Sequence, residues 1–453
     1  MSRRHLVVAA CLAGLLVAGG SSALRAAETE APSRFAVVGV TIHSVSGPTI
    51  EGGTLLVTGD TLEAVGADVD VPAGTQVIEF GGRHVYPAFI HPSSTLGLTE
   101  VNSVDGTVDT TEVGEVNPAL RVESSFHADS RLLPATVAGG VLFAHVVPQG
   151  PLLSGTSAVM RLTGWNWHDM TVAAPVAMHL RFPSFIPRPG FFGPPPSQEE
   201  VDARRKKDLE TLDRTFAGAR AYQKARQVMA AGKGPFVALD PSFEALLPVL
   251  DGTLPLFLHA DHAEQIAAAL DWAEEQGLSK LVLVSNQDAA GFAERLAAAD
   301  IPVLFTGTLR LPREAWDPYD AAYTAPAKLH EAGVRLAIAD AGNGFAAFNS
   351  RNLPFEAAMA VAFGLPHDVA LEAITRVPAE LLGVGDRLGT LEAGKEASFV
   401  VTDGDPLDIR THIEAVWNAG VPVDLEADPQ RRLWRRYAGR PARETAKPKG
   451  PKP

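Results

Sequence analysis

The chain has 453 residues, of which 46% are hydrophobic and 20% are charged, a composition typical of a globular protein with a large core. Its formal net charge of −14 leaves no basic footprint for phosphate groups, so we expect no nucleic-acid partner.

Residues 1–27 have the pattern of a secretory signal peptide. Arg3 and Arg4 precede an apolar run at residues 6–18, and small residues follow it. The run is too short to span a bilayer comfortably, so we expect a cleaved signal and a periplasmic or secreted protein without membrane contact. Cys11, the only cysteine, lies inside this signal, and the mature chain would then hold no thiol. The alternatives are a buried helix, a short membrane anchor, or a lipid attached at Cys11.

Residues 28–86 are predicted to form a small β domain. Four segments are β-branched or alternate apolar with polar residues, and glycine or proline separates them: residues 35–42, 54–57, 62–65 and 77–80. The β pattern returns in residues 383–437. The tail, residues 438–453, is rich in proline, lysine and arginine, so we expect it to be disordered.

Residues 87–382 alternate between buried strands and amphipathic helices, which predicts a parallel sheet with helical crossovers. The clearest apolar strands are residues 254–258, 280–284, 301–305 and 334–339. A proline-rich insertion, residues 182–197, interrupts the alternation before a charged helix at residues 199–230. We interpret the insertion either as an exposed excursion or as a lid whose phenylalanines face a ligand.

Several segments resemble those of the amidohydrolase superfamily, near its imidazolonepropionase-like branch. Residues 388–401, which include Glu392-Ala393-Gly394-Lys395, resemble the closing cassette of these metal-dependent enzymes, and residues 85–96 resemble their first barrel strand. The resemblance implies an α/β fold, a distorted TIM barrel, (β/α)₈, with a small β-sandwich formed from both chain ends. It also implies a hydrolase acting on non-peptide carbon–nitrogen bonds, as in cyclic amides or acylated amino acids.

That family binds one or two metal ions, usually zinc, which activate water at the carboxyl ends of the barrel strands. Its two first-strand histidines correspond here to Ser93 and Thr95, whose hydroxyl groups are poor zinc ligands. His91 lies two residues earlier and is a weaker candidate ligand.

The resemblance places His259 at the family's fifth-strand histidine and Asp340 at its eighth-strand aspartate, and these two are the predicted catalytic residues. Asn286 stands where the sixth strand should carry a histidine. We expect the substrate-binding residues to be Ser93, Thr95, Asn286 and His179. The possible zinc ligands are His259, Asp340, His179 and His145.

The residues leave more than one function open. The first is a hydrolase of the amidohydrolase superfamily with an unusual site, in which zinc is possible by resemblance. The second is a pseudoenzyme that binds a small molecule in the barrel mouth without metal, or that serves as partner to a metal-competent homologous subunit. A serine triad of Ser93 or Ser94 with His259 and Asp340 is a further alternative.

Overall fold

The structure is a computed structural model that describes residues 34–187, 194–340 and 346–440. The predicted signal peptide with Cys11, the middle of the proline-rich insertion and nearly all of the predicted tail lie outside the described residues. Every helix in the described ranges is too short or too polar to cross a lipid bilayer.

The strands and helices of the described residues take the following bounds in chain order. The strands are β1 (Arg34–Ile42), β2 (Ile50–Thr58), β3 (Thr61–Gly66), β4 (Gln76–Glu79), β5 (His84–Pro87), β6 (Phe89–Ser94), β7 (Val141–Val146), β8 (Leu153–Thr156), β9 (Ala158–Arg161), β10 (Thr171–Ala173), β11 (Met178–Arg181), β12 (Leu256–His259), β13 (Leu281–Ser285), β14 (Val303–Thr306), β15 (Leu336–Ala339), β16 (Phe399–Thr402), β17 (Ile413–Asn418) and β18 (Val421–Pro422). The α-helices are α1 (Leu132–Val137), α2 (Trp167–Met170), α3 (Gln198–Ala230), α4 (Pro241–Leu250), α5 (Ala263–Glu275), α6 (Ala293–Ala298), α7 (Ala321–Glu331), α8 (Ala346–Asn349), α9 (Leu353–Ala362), α10 (His367–Glu372), α11 (Arg376–Leu381) and α12 (Pro429–Ala438).

The two ends of the described chain share one eight-stranded sheet, in the order β18-β17-β16-β5-β1-β2-β3, with β4 beside β1. Gly39, at φ +73°, allows β1 to bend where its pairing passes from β4 to β5. The sheet curls so that Leu62 N donates to Lys395 O at 2.8 Å, beside the start of β16. The β segments of both ends thus form one unit, while its packing as a two-layer sandwich stays a prediction.

The middle of the chain is a mixed α/β structure. Strand β6 runs parallel to β7, and β11 to β15 form a parallel ladder in chain order. Residues of these strands are almost all buried because helices such as α5, α7 and α9 cover them. The four predicted strands at residues 254–339 are confirmed in type and order.

The charged helix predicted after the proline-rich insertion is present as α3. Ser197 and Glu200 form a capping box at its start, in which each side chain accepts a hydrogen bond from the other residue's backbone. Its inner face buries Leu212 and Phe216, and the Phe216 ring meets Trp272 of α5 edge-on at 5.2 Å. These contacts hold α3 beside the end of β11, which positions one wall of the site.

Candidate functional site

A cavity of about 110 Å³ lies at the carboxyl ends of β6, β7 and β11–β14. Parallel strands present these ends on one edge, which is where α/β folds place functional side chains. We call it the strand-end cavity, and the polar residues around it that matter most are Ser93, Thr95, Arg181, His259, Asp261 and Arg310.

His179 and His259 form a hydrogen-bonded pair at the base of this cavity. Strands β11 and β12 pair with His179 opposite Phe257 and Arg181 opposite His259, which brings His179 Nδ1 within 2.9 Å of His259 Nε2. The pKa of both imidazoles is well below the usual range, mainly because they are buried and also because neighbouring basic groups disfavour a positive charge. Both rings are therefore neutral at pH 7, and one donates its N–H to the other.

Both ring nitrogens of His145 form hydrogen bonds within the protein. Its Nδ1 lies 2.7 Å from the carbonyl oxygen of Pro92, which can only accept, so Nδ1 carries the proton. Its Nε2 lies 2.6 Å from the hydroxyl of Ser157 and accepts from it. Burial lowers the pKa of His145 to about 4, although the Pro92 carbonyl opposes this shift.

Asp340 pairs with His91 rather than with His259. The Asp340 carboxylate is 3.1 Å from His91 Nε2, and both side chains are buried. Ser93 N donates to His91 Nδ1 at 3.3 Å, so the other nitrogen, Nε2, carries the proton and donates to Asp340.

The topology explains this pairing. Ile90 N in β6 and Ile338 N in β15 donate to the carbonyls of residues 374 and 373, so those two residues lie between the two strands. The end of β15 is consequently near β6, while two strands of the ladder, β13 and β14, separate β15 from β12. The two predicted catalytic residues, His259 and Asp340, lie in separate hydrogen-bonded pairs, with His179 and His91 respectively. The triad alternative requires a hydrogen bond between His259 and Asp340, and these pairs do not provide it.

The predicted substrate-binding residues take different positions. Ser93 and Thr95 line the strand-end cavity. Asn286 is buried, accepts from Asp288 N at 3.1 Å and from Arg313 Nη1 at 3.2 Å, and so caps the short 3₁₀ helix that follows β13. His179 is buried and does not line the cavity, but it is hydrogen-bonded to His259, which does.

Sequence reasoning missed the two arginines of the strand-end cavity. Arg181 is the last residue of β11, and Arg310 follows β14, where its Nη1 donates to Thr306 O at 3.0 Å. The pKa of Arg310 is lowered, mainly by burial and also by the nearby Arg313, while Asp261 opposes the shift. A basic residue at the end of a buried strand, or a few residues beyond it, was the available signal.

The donors of the described residues do not fit a zinc ion. No group of three or more His, Cys, Asp or Glu side chains in the described ranges is arranged to hold a metal. A catalytic zinc needs three protein ligands, yet His145 and His91 use both ring nitrogens elsewhere. His179 is bonded to His259 through Nδ1, and its buried Nε2, which has no hydrogen-bond partner among the described residues, would be a single ligand. Arg181 and Arg310 at the same cavity would also repel a divalent cation.

This chain is similar to amidohydrolases and imidazolonepropionases. The Amidohydrolase family model matches residues 320–425. The amidohydrolase tasK of Hapsidospora irregularis is 23% identical over 380 residues, which is 78% of this chain but only 37% of that protein. The imidazolonepropionase of Rhizobium meliloti is 26% identical over 403 residues, covering 83% of this chain and 87% of the relative.

Solved structures share the fold. An amidohydrolase from Thermotoga maritima superposes with a TM-score of 0.75 at 24% identity, covering 86% of this chain and 99% of the other. An adenosine deaminase from Xanthomonas campestris, solved with bound zinc, has a TM-score of 0.50 at 17% identity over 89% of this chain and 98% of the other. The predicted resemblance is confirmed, and a metal is usual among such proteins.

Proposed function

Because this chain is a homologue of amidohydrolases in sequence and fold, we propose that it is a member of that superfamily that binds a small molecule without metal. It is then a pseudoenzyme built on a distorted (β/α)₈ barrel with a β-sandwich from both chain ends. We also propose that it acts in the periplasm or outside the cell.

The strand connections support a distorted barrel. Ser157, between β8 and β9, donates from its N to Ala177 O at 3.0 Å and accepts from Val176 N at 2.9 Å, which links the β6–β7 sheet to β11. Residues 373–374 bridge β6 and β15 on the other side. In this interpretation β8 and β9, which pair antiparallel with β11 and β7, replace the third barrel strand.

The single observation that carries the functional proposal is the low basicity of the buried His179–His259 pair, which is joined through His179 Nδ1 and His259 Nε2. A water molecule becomes a nucleophile at neutral pH when a metal lowers its pKa or when a base of suitable pKa takes its proton. The His179–His259 pair is held neutral by burial, with a pKa well below neutrality, and so is a weak base. The geometry favours holding a ligand over cleaving one.

Metal analysis tests this proposal. Protein purified from zinc-supplemented cells is expected to hold far less than one zinc per chain, and to hydrolyse neither acylated amino acids nor hydantoins. Stoichiometric zinc that is lost in His259→Ala but kept in His412→Ala would overturn the proposal in favour of a metal-dependent hydrolase. His412 is a suitable control because it is exposed and pairs with Asp403 far along the chain from the site.

If the protein binds no zinc, a partner remains to be tested. A metal-competent homologous subunit is the candidate that the resemblance suggests. Co-purification of such a homologue, with hydrolysis that only the pair performs, would show that the chain serves as a partner subunit.

A further inference from the structure

We infer that the strand-end cavity binds the carboxylate of an organic acid, whose apolar body lies in the adjoining cavity between the end of β11 and α3. The inference rests on the proposed metal-independent function and adds the chemical class of the ligand.

The charges around the strand-end cavity favour an anion. Arg181 and Arg310 both line it, and Asp261 is the one acid among its described lining residues, which leaves one net positive charge. His259 adds no charge, because burial keeps it neutral. A guanidinium group offers a planar fork of N–H donors that matches a carboxylate, and a charge-assisted pair of this kind is strong when it is partly shielded from water.

Neutral donors complete the surroundings of such a head group. Ser93, Thr95 and Gln149 face the same cavity from the ends of β6 and from the loop after β7. Hydroxyl and amide groups donate hydrogen bonds to carboxylate oxygens without adding charge. The cavity, at about 110 Å³, has room for a carboxylate and few further atoms, so a larger ligand must extend out of it.

An adjoining cavity of about 300 Å³ offers the room for the rest of the ligand. We call it the side cavity. It shares Arg181, His259 and Asp261 with the strand-end cavity, so the two meet at these residues. Much of its remaining wall is apolar and is formed by Pro151, Phe182, Ile186 and Val201. A pocket with an apolar wall and a few polar groups at one end is suited to an organic acid.

The charged residues that α3 contributes to the side cavity have acidic partners on the same helix. Arg204 lies 3.6 Å from Asp208, and Arg205 lies 2.8 Å from Asp202. The Arg205 guanidinium also lies 4.3 Å from the centre of the Phe185 ring. These pairs leave little net charge along α3, and we place the head group in the strand-end cavity, which is lined by two arginines and by neutral donors.

Calorimetry and thermal unfolding of the full-length wild-type protein test the inference without any substitution. The carboxylate probes are acetate, N-acetyl-phenylalanine and 4-phenylbutyrate. The comparison probes are the amide and the matched amine of 4-phenylbutyrate, and inorganic phosphate. We expect saturable binding and a raised Tm with 4-phenylbutyrate, at least tenfold weaker binding of its amide and of acetate, and no binding of the amine. The inference is overturned if no carboxylate binds better than its amide, or if inorganic phosphate binds as tightly as 4-phenylbutyrate.

Substitutions then locate the site. Arg310→Gln and Arg181→Gln are expected to weaken binding of 4-phenylbutyrate at least tenfold, and Arg310→Lys, which keeps the charge but loses the fork, to weaken it less. Arg335→Gln is the matched control, because Arg335 is exposed and pairs with Asp300 away from both cavities. Unchanged binding in Arg310→Gln and Arg181→Gln overturns the inference.

Zinc measured in the same samples separates the two proposals. Carboxylate binding that survives a chelator in zinc-free protein supports both. Carboxylate binding that requires bound zinc contradicts the proposed function and this inference together, whereas zinc-free protein that binds no carboxylate contradicts the inference alone.

Discussion

Two arginines at strand ends, one in the scaffold and one at the site, show how this molecule uses the same side chain differently. Arg161 ends β9 and donates from both terminal nitrogens to Glu396, at 2.8 Å each, and it also contacts Asn418. Arg181 ends β11 and lines two cavities. The first arginine joins the α/β core to the sheet built from the chain ends, and the second lines the cavities in which we propose that a ligand lies.

The surroundings of Glu396 show what a structural ion pair requires. Its side chain is only 7% exposed, and burial alone would oppose its ionisation. Hydrogen bonds and charge from Arg161, with help from Ser398 and Arg387, nevertheless lower its pKa. Among the described residues that line the strand-end cavity there are two arginines and one acid, Asp261, which is the charge balance on which the proposed anion site rests.

The largest effect that we expect is a loss of stability in acid, caused by the site's buried histidines. His145, His179 and His259 stay neutral in the folded protein, whereas the unfolded chain protonates them near pH 6.5. The unfolded state therefore binds more protons, and each histidine lowers the free energy of unfolding by about 2 kcal/mol between pH 7 and pH 5. His367, whose pKa Asp405 raises, acts in the opposite sense and offsets part of the loss.

Chemical denaturation at pH 7 and pH 5 measures this effect. His179→Leu, which removes one of the three imidazoles, should make the difference between the two pH values smaller by about 2 kcal/mol. An unfolding free energy that does not change between pH 7 and pH 5, or a variant as sensitive to acid as wild type, would contradict the neutral state of these rings.

The next effect concerns the scaffold arginine. Arg161→Ala leaves the buried Glu396 carboxylate with only part of its partners, and we expect the free energy of unfolding to fall by about 3 kcal/mol. Arg335→Ala, which breaks an exposed pair, should cost less than about 1 kcal/mol. Binding of 4-phenylbutyrate to folded Arg161→Ala should match that of wild type. A loss of binding in this variant would contradict the assignment of Arg161 to the scaffold alone.

The smallest effect has the opposite sign. Arg310→Met removes a half-buried guanidinium group that lies near Arg313, and we expect the free energy of unfolding to rise by about 1 kcal/mol. The measurement is urea denaturation in the absence of any carboxylate. A fall in the free energy of unfolding by a similar amount would show that Arg310 stabilises the fold and would contradict a role limited to ligand binding.

The sequence located the parallel strands well but not the contacts across them. The apolar strands at residues 254–339 and the helix after the proline-rich insertion follow from local patterns, whereas His259 was found through the family resemblance. Arg181 was missed because it ends β11, which is not among the four apolar strands predicted from the sequence.

Pairings between strands lay beyond the reach of local patterns. The contact of His179 with His259 depends on the register of β11 against β12, and that of Asp340 with His91 on β15 ending beside β6. The residues involved are 80 and 249 positions apart in the chain. Neither separation leaves a periodic signal in a single sequence.

The most direct test of the central claim is anomalous diffraction at the zinc absorption edge from crystals grown with excess zinc. We expect no anomalous peak at the strand-end cavity, with Arg181 and Arg310 still lining it and His179 still bonded to His259. A peak within bonding distance of His259 and two further protein donors would contradict the account and show that the protein binds a metal at this cavity.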